Sequence, residues 1–311
     1  MNSIICIAGP TASGKTALAV ELAKETNGEV ISCDSMQIYR HMDIGTAKPT
    51  REEMQGIVHH MLDVAEPGEE FSVSRYCAMA DPILQDILSR GKRAIIAGGT
   101  GLYMDSLIRG NDFAPFPSTG MRQKLERQAD EAGMEAMLKL LGSIDPESAQ
   151  RLHLADRKRI LRALEVYYET GETITAHNAR TQALPPRYTP LWLGLDFDPR
   201  QELYRRIDLR VGLMLEAGLE QELHRLLAMG IAPGSTALQA IGYKEFLSAL
   251  EGRATLEEAA DQVRQASRHY AKRQLTWFRR NKAIHWLLRR PGQTQEEILE
   301  QARQVLLNFD N

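Results

Sequence analysis

Eight residues near the start of the chain constrain its folding most. Gly9-Pro10-Thr11-Ala12-Ser13-Gly14-Lys15-Thr16 fits GxxxxGK[ST]. A loop of this kind functions at a strand-to-helix junction, where backbone N–H groups and the helix N-terminus form an anion cradle. The flanks supply that junction. Ile4-Ile5-Cys6-Ile7-Ala8 is an apolar run of strand length, and Thr16 to Glu25 repeats apolar residues at helical spacing. The opening run has no basic stretch before it and leads straight into the glycine loop, so it reads as a buried strand and not as a signal peptide. In the cradle Lys15 would neutralise phosphate oxygens and the Thr16 hydroxyl would help hold Mg²⁺. The motif implies a bound polyphosphate and does not choose among kinase, hydrolase and transferase.

Two further strands are expected, Glu29 to Cys33 and Arg93 to Ala97, the second after a helical pattern over Ser74 to Ser89. Alternating βα units predict an α/β fold, a P-loop NTPase-like parallel sheet with ligands beyond the carboxyl ends of its strands. The middle changes character. Asn111 to Ser118 reads as a linker, Met121 to Leu141 and Arg157 to Thr170 are helical with no strand between them, and Pro185-Pro186 breaks the chain. We therefore expect a core made of residues 1–112 and 188–311 and an inserted all-helical lobe over 113–187. Leu191 to Phe197 returns a strand to the sheet, and from Arg200 onward the pattern predicts a helical C-terminal region.

Each of the first three strands ends in a polar or glycine-rich motif, so the three motifs should converge. Asp34, opening Asp34-Ser35-Met36-Gln37-Ile38-Tyr39, points toward the cradle as a general base or Mg²⁺ carboxylate; equally, it caps a following helix. In Gly98-Gly99-Thr100-Gly101-Leu102-Tyr103 the glycines admit a ligand close to backbone, and Thr100 offers a hydroxyl. Thr46 and Lys48 are placed to face phosphate. Adjacent His59 and His60 fit local hydrogen bonding better than shared metal ligation.

A second large signal lies near the end. From Gln262 to Gln295 there is no acidic residue, while Arg264, Arg268, Lys272, Arg273, Arg279, Arg280, Lys282, Arg289 and Arg290 fall there with Tyr270, Trp277, Phe278 and Trp286. On a helix Arg268, Lys272 and Arg279 share a face, as do Arg273, Trp277 and Arg280. The whole chain carries a net charge of −3, so a single-signed stretch stands out as a phosphate-backbone footprint. Arg157, Lys158, Arg159 and Arg162 form another basic cluster on the lobe, and two such surfaces suggest a clamp.

Together these residues resemble the tRNA dimethylallyltransferase (tRNA isopentenyltransferase) family, bacterial type. The matching strings are GPTASGKT (9–16), DSMQIYR (34–40), MDIGTAKP (42–49), GGTGLY (98–103), RALEVYY (162–168), AIGYKE (240–245) and AKRQLTWFRR (271–280), in order through nearly the whole chain. His41 stands where the family usually has glycine. The resemblance implies that the cradle, Gly9 to Thr16, binds dimethylallyl diphosphate. The prenyl group then passes to the exocyclic N6 of the adenosine 3′ of the anticodon in tRNA. It implies Asp34 as the general base, Thr100 as a substrate contact and Arg122 at the diphosphate or the nearby tRNA. It places tRNA against Asp34, Ser35, Met36 and Gln37, which would meet the flipped adenine. Further contacts are implied at Lys158, Arg159, Ile160, Leu161 and Arg162; at Ala240, Ile241, Gly242, Tyr243, Lys244 and Glu245; and at Lys272, Arg273, Gln274, Leu275, Thr276, Trp277, Phe278 and Arg279.

Competing readings explain less. A small-molecule kinase leaves the acid-free stretch and the lobe without purpose. A prenyltransferase acting on free adenine nucleotides has no need of the basic C-terminal helix, and a non-catalytic RNA-binding module has none for Lys15, Thr16 and Asp34. The 43% hydrophobic and 25% charged residues among 311 suit a globular chain with a large core. Cys6, Cys33 and Cys77 form no CxxC pair, and no apolar run reaches the ~20 residues of a membrane span. A monomer in the reducing cytoplasm, without membrane contact, is the expectation.

Overall fold

A computed structural model describes residues 4–111 and 119–310. Most of the linker expected over Asn111 to Ser118 lies outside the described residues. The chain divides into two compact units, Met1–Gly110 with Arg187–Asn311, and Asn111–Pro186.

The first unit opens with β1 (Ile4–Ala8), α1 (Lys15–Glu25), β2 (Gly28–Ser32), α2 (Arg51–Met54), β3 (His59–His60), α3 (Val73–Ser89), β4 (Arg93–Gly98) and α4 (Gly101–Arg109). The second unit contains α5 (Met121–Ile144), α6 (Pro146–Arg151), α7 (Arg157–Thr170) and α8 (Ile174–Ala183). The first unit resumes with β5 (Leu191–Phe197), α9 (Arg200–Glu216), α10 (Leu219–Ala228), α11 (Tyr243–Leu250), α12 (Leu256–Phe278), β6 (Ile284–Arg289) and α13 (Gln295–Asp310).

The six strands form one sheet in the order β3-β2-β4-β1-β5-β6, and every pairing is parallel. Parallel strands covered on both faces carry unbroken apolar runs, and every residue of β1 and β5 is buried. One face packs Tyr76, Leu84 and Leu107 against Cys6 and Ile96; the other packs Leu18, Leu22, Ile298 and Leu299 against Ile5, Ile7 and Leu193. From β1 the chain first winds toward β4, β2 and β3, and later crosses to β5 and β6. Strand order therefore reverses beside β1, and crevices form at the carboxyl ends of strands at such a point. The loop 9–16 leaves β1 there.

Two expectations need correction. The C-terminal region is not wholly helical, because Ile284–Arg289 adds a sixth strand beside β5. Its apolar residues divide between the two faces of the sheet, Ile284 and Trp286 on one and Leu287 on the other, which blurs the two-residue period that marks a half-exposed strand. The long basic helix also stops at Phe278, with Arg279 as its cap, still in helical conformation and bonded to the Leu275 carbonyl at 3.0 Å, so Arg280, Lys282, Arg289 and Arg290 lie beyond it.

The second unit has its own core, in which Leu125, Leu141, Ile160, Leu161 and Leu164 are buried together. Arg122 lies in this unit, its Nε 2.8 Å from Glu126 and its Nη1 3.7 Å from Glu165.

Candidate active site

The loop 9–16 turns into α1 through Gly14, whose φ of 91° is in the left-handed region that glycine adopts without cost. Lys15 Nζ donates to the Pro10 carbonyl at 2.6 Å. Burial, reinforced by the positive charge of Arg210 and opposed by Asp34, pulls the Lys15 pKa down to about 7. From α9, Arg206 Nε donates to the Ala12 carbonyl at 3.0 Å. Burial and then Arg289 lower the Arg206 pKa, and burial lowers that of Arg210. Among the described residues none of Lys15, Arg206, Arg210 and Arg289 forms an ion pair. Asp34 offsets part of the charge on Lys15 and Arg210, but the gathered cations outweigh it and make an attractive site for a polyanion. Ser13 is 2% exposed, and among the described residues its hydroxyl has no hydrogen-bond partner.

The motif after β2 forms a turn and not a helix. Asp34 Oδ1 accepts the N–H of Met36 at 2.9 Å and of Gln37 at 3.4 Å, so it closes this turn, and there is no following helix for it to cap. Asp34 Oδ2 takes no hydrogen bond among the described residues, and the half-buried carboxylate keeps a lone-pair face for chemistry. Thr100, after β4, bonds this turn: its Oγ1 accepts the Ser35 N–H at 3.0 Å and lies 3.3 Å from Ser35 Oγ. Its own N–H donates to the Cys33 carbonyl at 3.1 Å. The three motifs do converge.

Helix α12 joins them from behind. Gln274 Oε1 accepts the Thr11 N–H at 2.9 Å while its Nε2 donates to the Gly99 carbonyl at 3.0 Å. Tyr270 stands beside Asp34, Thr100 and Gln274, and burial followed by the Asp34 charge pushes its phenol well up. Trp277 Nε1 donates to Asp105 Oδ2 at 2.8 Å.

Several residues expected in contact with tRNA face inward instead. Gln274, Leu275 and Phe278 are buried on the apolar side of α12, and Trp277 is half-buried; Lys272, Arg273, Thr276 and Arg279 are exposed. In α7, Ile160 and Leu161 are core residues, whereas Lys158, Arg159 and Arg162 are exposed. Tyr243 and Glu245 are buried: the Tyr243 O–H donates to Glu222 and Glu245 accepts the Gly242 N–H at 2.8 Å. Of that motif Ala240 and Ile241 are partly exposed and Lys244 is open to solvent. Lys48 does not face phosphate, since it is bound to Asp43 and Asp63 at 2.6 Å each, and the Thr46 hydroxyl donates to the Met42 carbonyl at 2.6 Å. Gln37 is engaged as well, donating to the Ala47 carbonyl at 3.1 Å. His60 binds Glu29 at 2.8 Å and His59 the Ile57 carbonyl at 2.9 Å. Among the described residues no cluster of His, Cys, Asp and Glu is built for a metal.

The acid-free stretch is less bare in space than in sequence. Arg268 pairs with Asp208, Arg264 with Asp261 and Arg279 with Asp196. Among the described residues Lys272, Arg273, Arg280 and Lys282 have no carboxylate partner; Arg273 and Arg280 lie over the rings of Tyr270 and Trp277. Sequence reasoning missed Arg206 and Arg210. Their signal was a pair of arginines four apart beside the buried stripe Leu203, Ile207 and Val211.

The IPP transferase family model matches residues 37–281, and the isopentenyl transferase model matches residues 2–67. The chain belongs to the IPP transferase family. It is 45% identical over 310 residues to a tRNA dimethylallyltransferase of Acetivibrio thermocellus, covering 99% of each chain. It is 48% identical over 286 residues to one of Carboxydothermus hydrogenoformans, 92% of this chain and 91% of that one. Among solved structures, the tRNA isopentenylpyrophosphate transferase of Bacillus halodurans aligns with a TM-score of 0.74 at 40% identity, covering 98% of this chain and 96% of that one. A eukaryotic dimethylallyltransferase acting on tRNA aligns at 0.82 and 29% identity, over all of this chain and 79% of the other.

Proposed function

We propose that this IPP transferase moves the dimethylallyl group of dimethylallyl diphosphate to N6 of the adenosine 3′ of the anticodon in tRNA, at position 37. The observation that carries this reading is the meeting of a cation-lined glycine loop with the open oxygen of Asp34. The N6 lone pair attacks C1 of the prenyl group, the C1–O bond breaks, and the pair goes to the leaving diphosphate. Lys15, Arg206, Arg210 and the free loop amides stabilise that charge; the Thr11 amide, held by Gln274, does not contribute while that bond persists. Asp34 Oδ2 takes the proton lost from N6. Thr100 keeps the Asp34 turn in place through Ser35. Arg122 is assigned to substrate only by family likeness.

Mg²⁺ suits this donor set. The Thr16 hydroxyl has no hydrogen bond among the described residues, and Mg²⁺ characteristically takes few protein oxygens and fills its shell from phosphate and water. When bound, it would neutralise diphosphate charge. Lys272, Arg273 and Thr276 on α12, and Lys158, Arg159 and Arg162 on α7, offer exposed donors to a tRNA backbone. Free Cys6, Cys33 and Cys77 accord with a reducing cytoplasm; no helix of the described residues is long and apolar enough to cross a membrane. A monomer is part of the same reading.

The test supplies radiolabelled dimethylallyl diphosphate and Mg²⁺ with an unmodified anticodon stem-loop or, in parallel, AMP. Label on the RNA alone is the expected result. Label on AMP moves the protein to nucleotide prenylation, and ATP consumption with no label on either sinks the reading.

A further inference from the structure

Buried carboxylates outside the reacting centre are rare and need several donors. Glu222 of α10 is 1% exposed. Its oxygens accept the backbone N–H groups of Asp43, Ile44 and Gly45, each at 2.9 Å, and the Tyr243 O–H at 2.7 Å. A Cβ on Gly45 would collide with the Tyr243 ring, so the glycine is what lets the ring lie on the loop. Three successive amides on one anion form a nest, with the anion supplied by the protein itself.

The held loop has its own cargo. Its Ala47 and Thr46 carbonyls accept Gln37 Nε2 at 3.1 and 3.4 Å, and Gln37 Oε1 accepts the Ser32 hydroxyl at 3.0 Å at the end of β2. The Gln37 N–H in turn meets Asp34 Oδ1 at 3.4 Å. We infer that Glu222 is a positioning residue for prenyl transfer: through the loop 43–47 and Gln37 it sets the turn that aims Asp34. The inference rests on Asp34 being the base. The glycine loop 9–16 is held separately, by Gln274 and Arg206, so Glu222 should govern the acceptor side of the reaction and leave diphosphate binding alone.

Glu222→Gln keeps the shape but places an amide donor against backbone N–H donors. Steady-state kinetics should show kcat reduced by about tenfold to a hundredfold, the scale of a small misplacement of a reacting group, with KM for dimethylallyl diphosphate within about twofold. Because Glu222 acts through Gln37, the Glu222→Gln/Gln37→Ala double variant should lose little more kcat than the worse single variant. Unchanged kcat, a parallel rise in KM, or additive losses would each overturn the inference. If Glu222→Gln does not fold, as judged by thermal unfolding, Tyr243→Phe decides. It removes one of the donors and keeps the ring, so kcat should fall a few-fold at constant KM, and no change overturns the idea. Asp34→Asn is run alongside. If it is inactive while Glu222→Gln behaves as wild type, only the positioning role fails; if it turns over normally, the base assignment fails and the inference goes with it.

Discussion

The loop 9–16 and the loop 42–49 each bring a glycine, a threonine and a lysine to the same end of the core, and their lysines finish in opposite electrostatic states. Lys48, with a side chain 6% exposed, sits 2.6 Å from both Asp43 and Asp63 and 2.8 Å from the Tyr39 carbonyl. Among the described residues Lys15 Nζ hydrogen-bonds only the Pro10 carbonyl; burial and then Arg210 outweigh the nearby Asp34, and its pKa falls to about 7. Even the backbone amides differ: those of 43–45 are consumed by Glu222, whereas among the described residues those of Ala12, Ser13 and Gly14 meet no acceptor and are left for a ligand. A cation satisfied at home maintains structure. A cation kept among other cations waits for an anion from outside.

The strongest way to break this comparison is to remove each lysine. Lys15→Ala should lower kcat/KM for dimethylallyl diphosphate by about 10²–10³-fold, the scale seen when a charge-stabilising donor is lost, with little change in the denaturant midpoint. Lys48→Met should do the reverse. Its stability loss should be about 1–3 kcal/mol, toward the low end because both carboxylates are largely in water and screened. Its KM for the diphosphate should hardly move. Equal kinetic defects in the two variants would erase the distinction.

A finer test uses pH. An arriving diphosphate favours charged Lys15, whose pKa in the free protein is about 7. Below that value the proton is already present and Lys15 adds no slope. Above it binding must take up a proton, so affinity should weaken by up to about tenfold per unit until the pKa of the complex is passed. Lys15→Arg stays charged throughout and should flatten that limb. Calorimetry in buffers of different ionisation enthalpy counts the proton directly; no uptake at pH 8 would contradict the assignment.

How much of this could be read from the chain depends on range. β1, α1, β2, β4 and β5 and the convergence of their end motifs were legible because each is local: apolar run, glycine, helix. Lys48 was not, since Asp63 lies fifteen residues away in sequence and nothing in GTAKP announces it. Gln274 carries no mark of burial, yet it joins the loops after β1 and β4. Arg206 and Arg210 stand in an ordinary amphipathic helix, and only the sheet order brings them to the 9–16 loop. β6 is short, and its buried residues divide between both faces of the sheet, so no alternation marks it. The basic stretch stands out in the sequence, but its charge balance does not, because Asp196 and Asp208 arrive from β5 and α9.

The smallest and sharpest effect is expected where Asp196 meets the basic stretch. Lys272 and Arg279 are both exposed cations of the same stretch, yet Arg279 Nη2 is 2.8 Å from Asp196, which is 4% exposed. If the rule drawn from Lys15 and Lys48 holds on the outer surface, Lys272→Ala should weaken anticodon stem-loop binding only a few-fold at moderate salt. It should also reduce the slope of log K against log salt by about 0.7–0.9, one phosphate contact. Arg279→Ala should leave that slope nearly intact and instead lower stability, because it strands a buried carboxylate. Filter binding across a salt series, paired with thermal unfolding of both variants, separates the two. A full unit of slope lost in Arg279→Ala would mean that the guanidinium shares itself between Asp196 and RNA, and that a local partner does not by itself retire a cation from ligand binding.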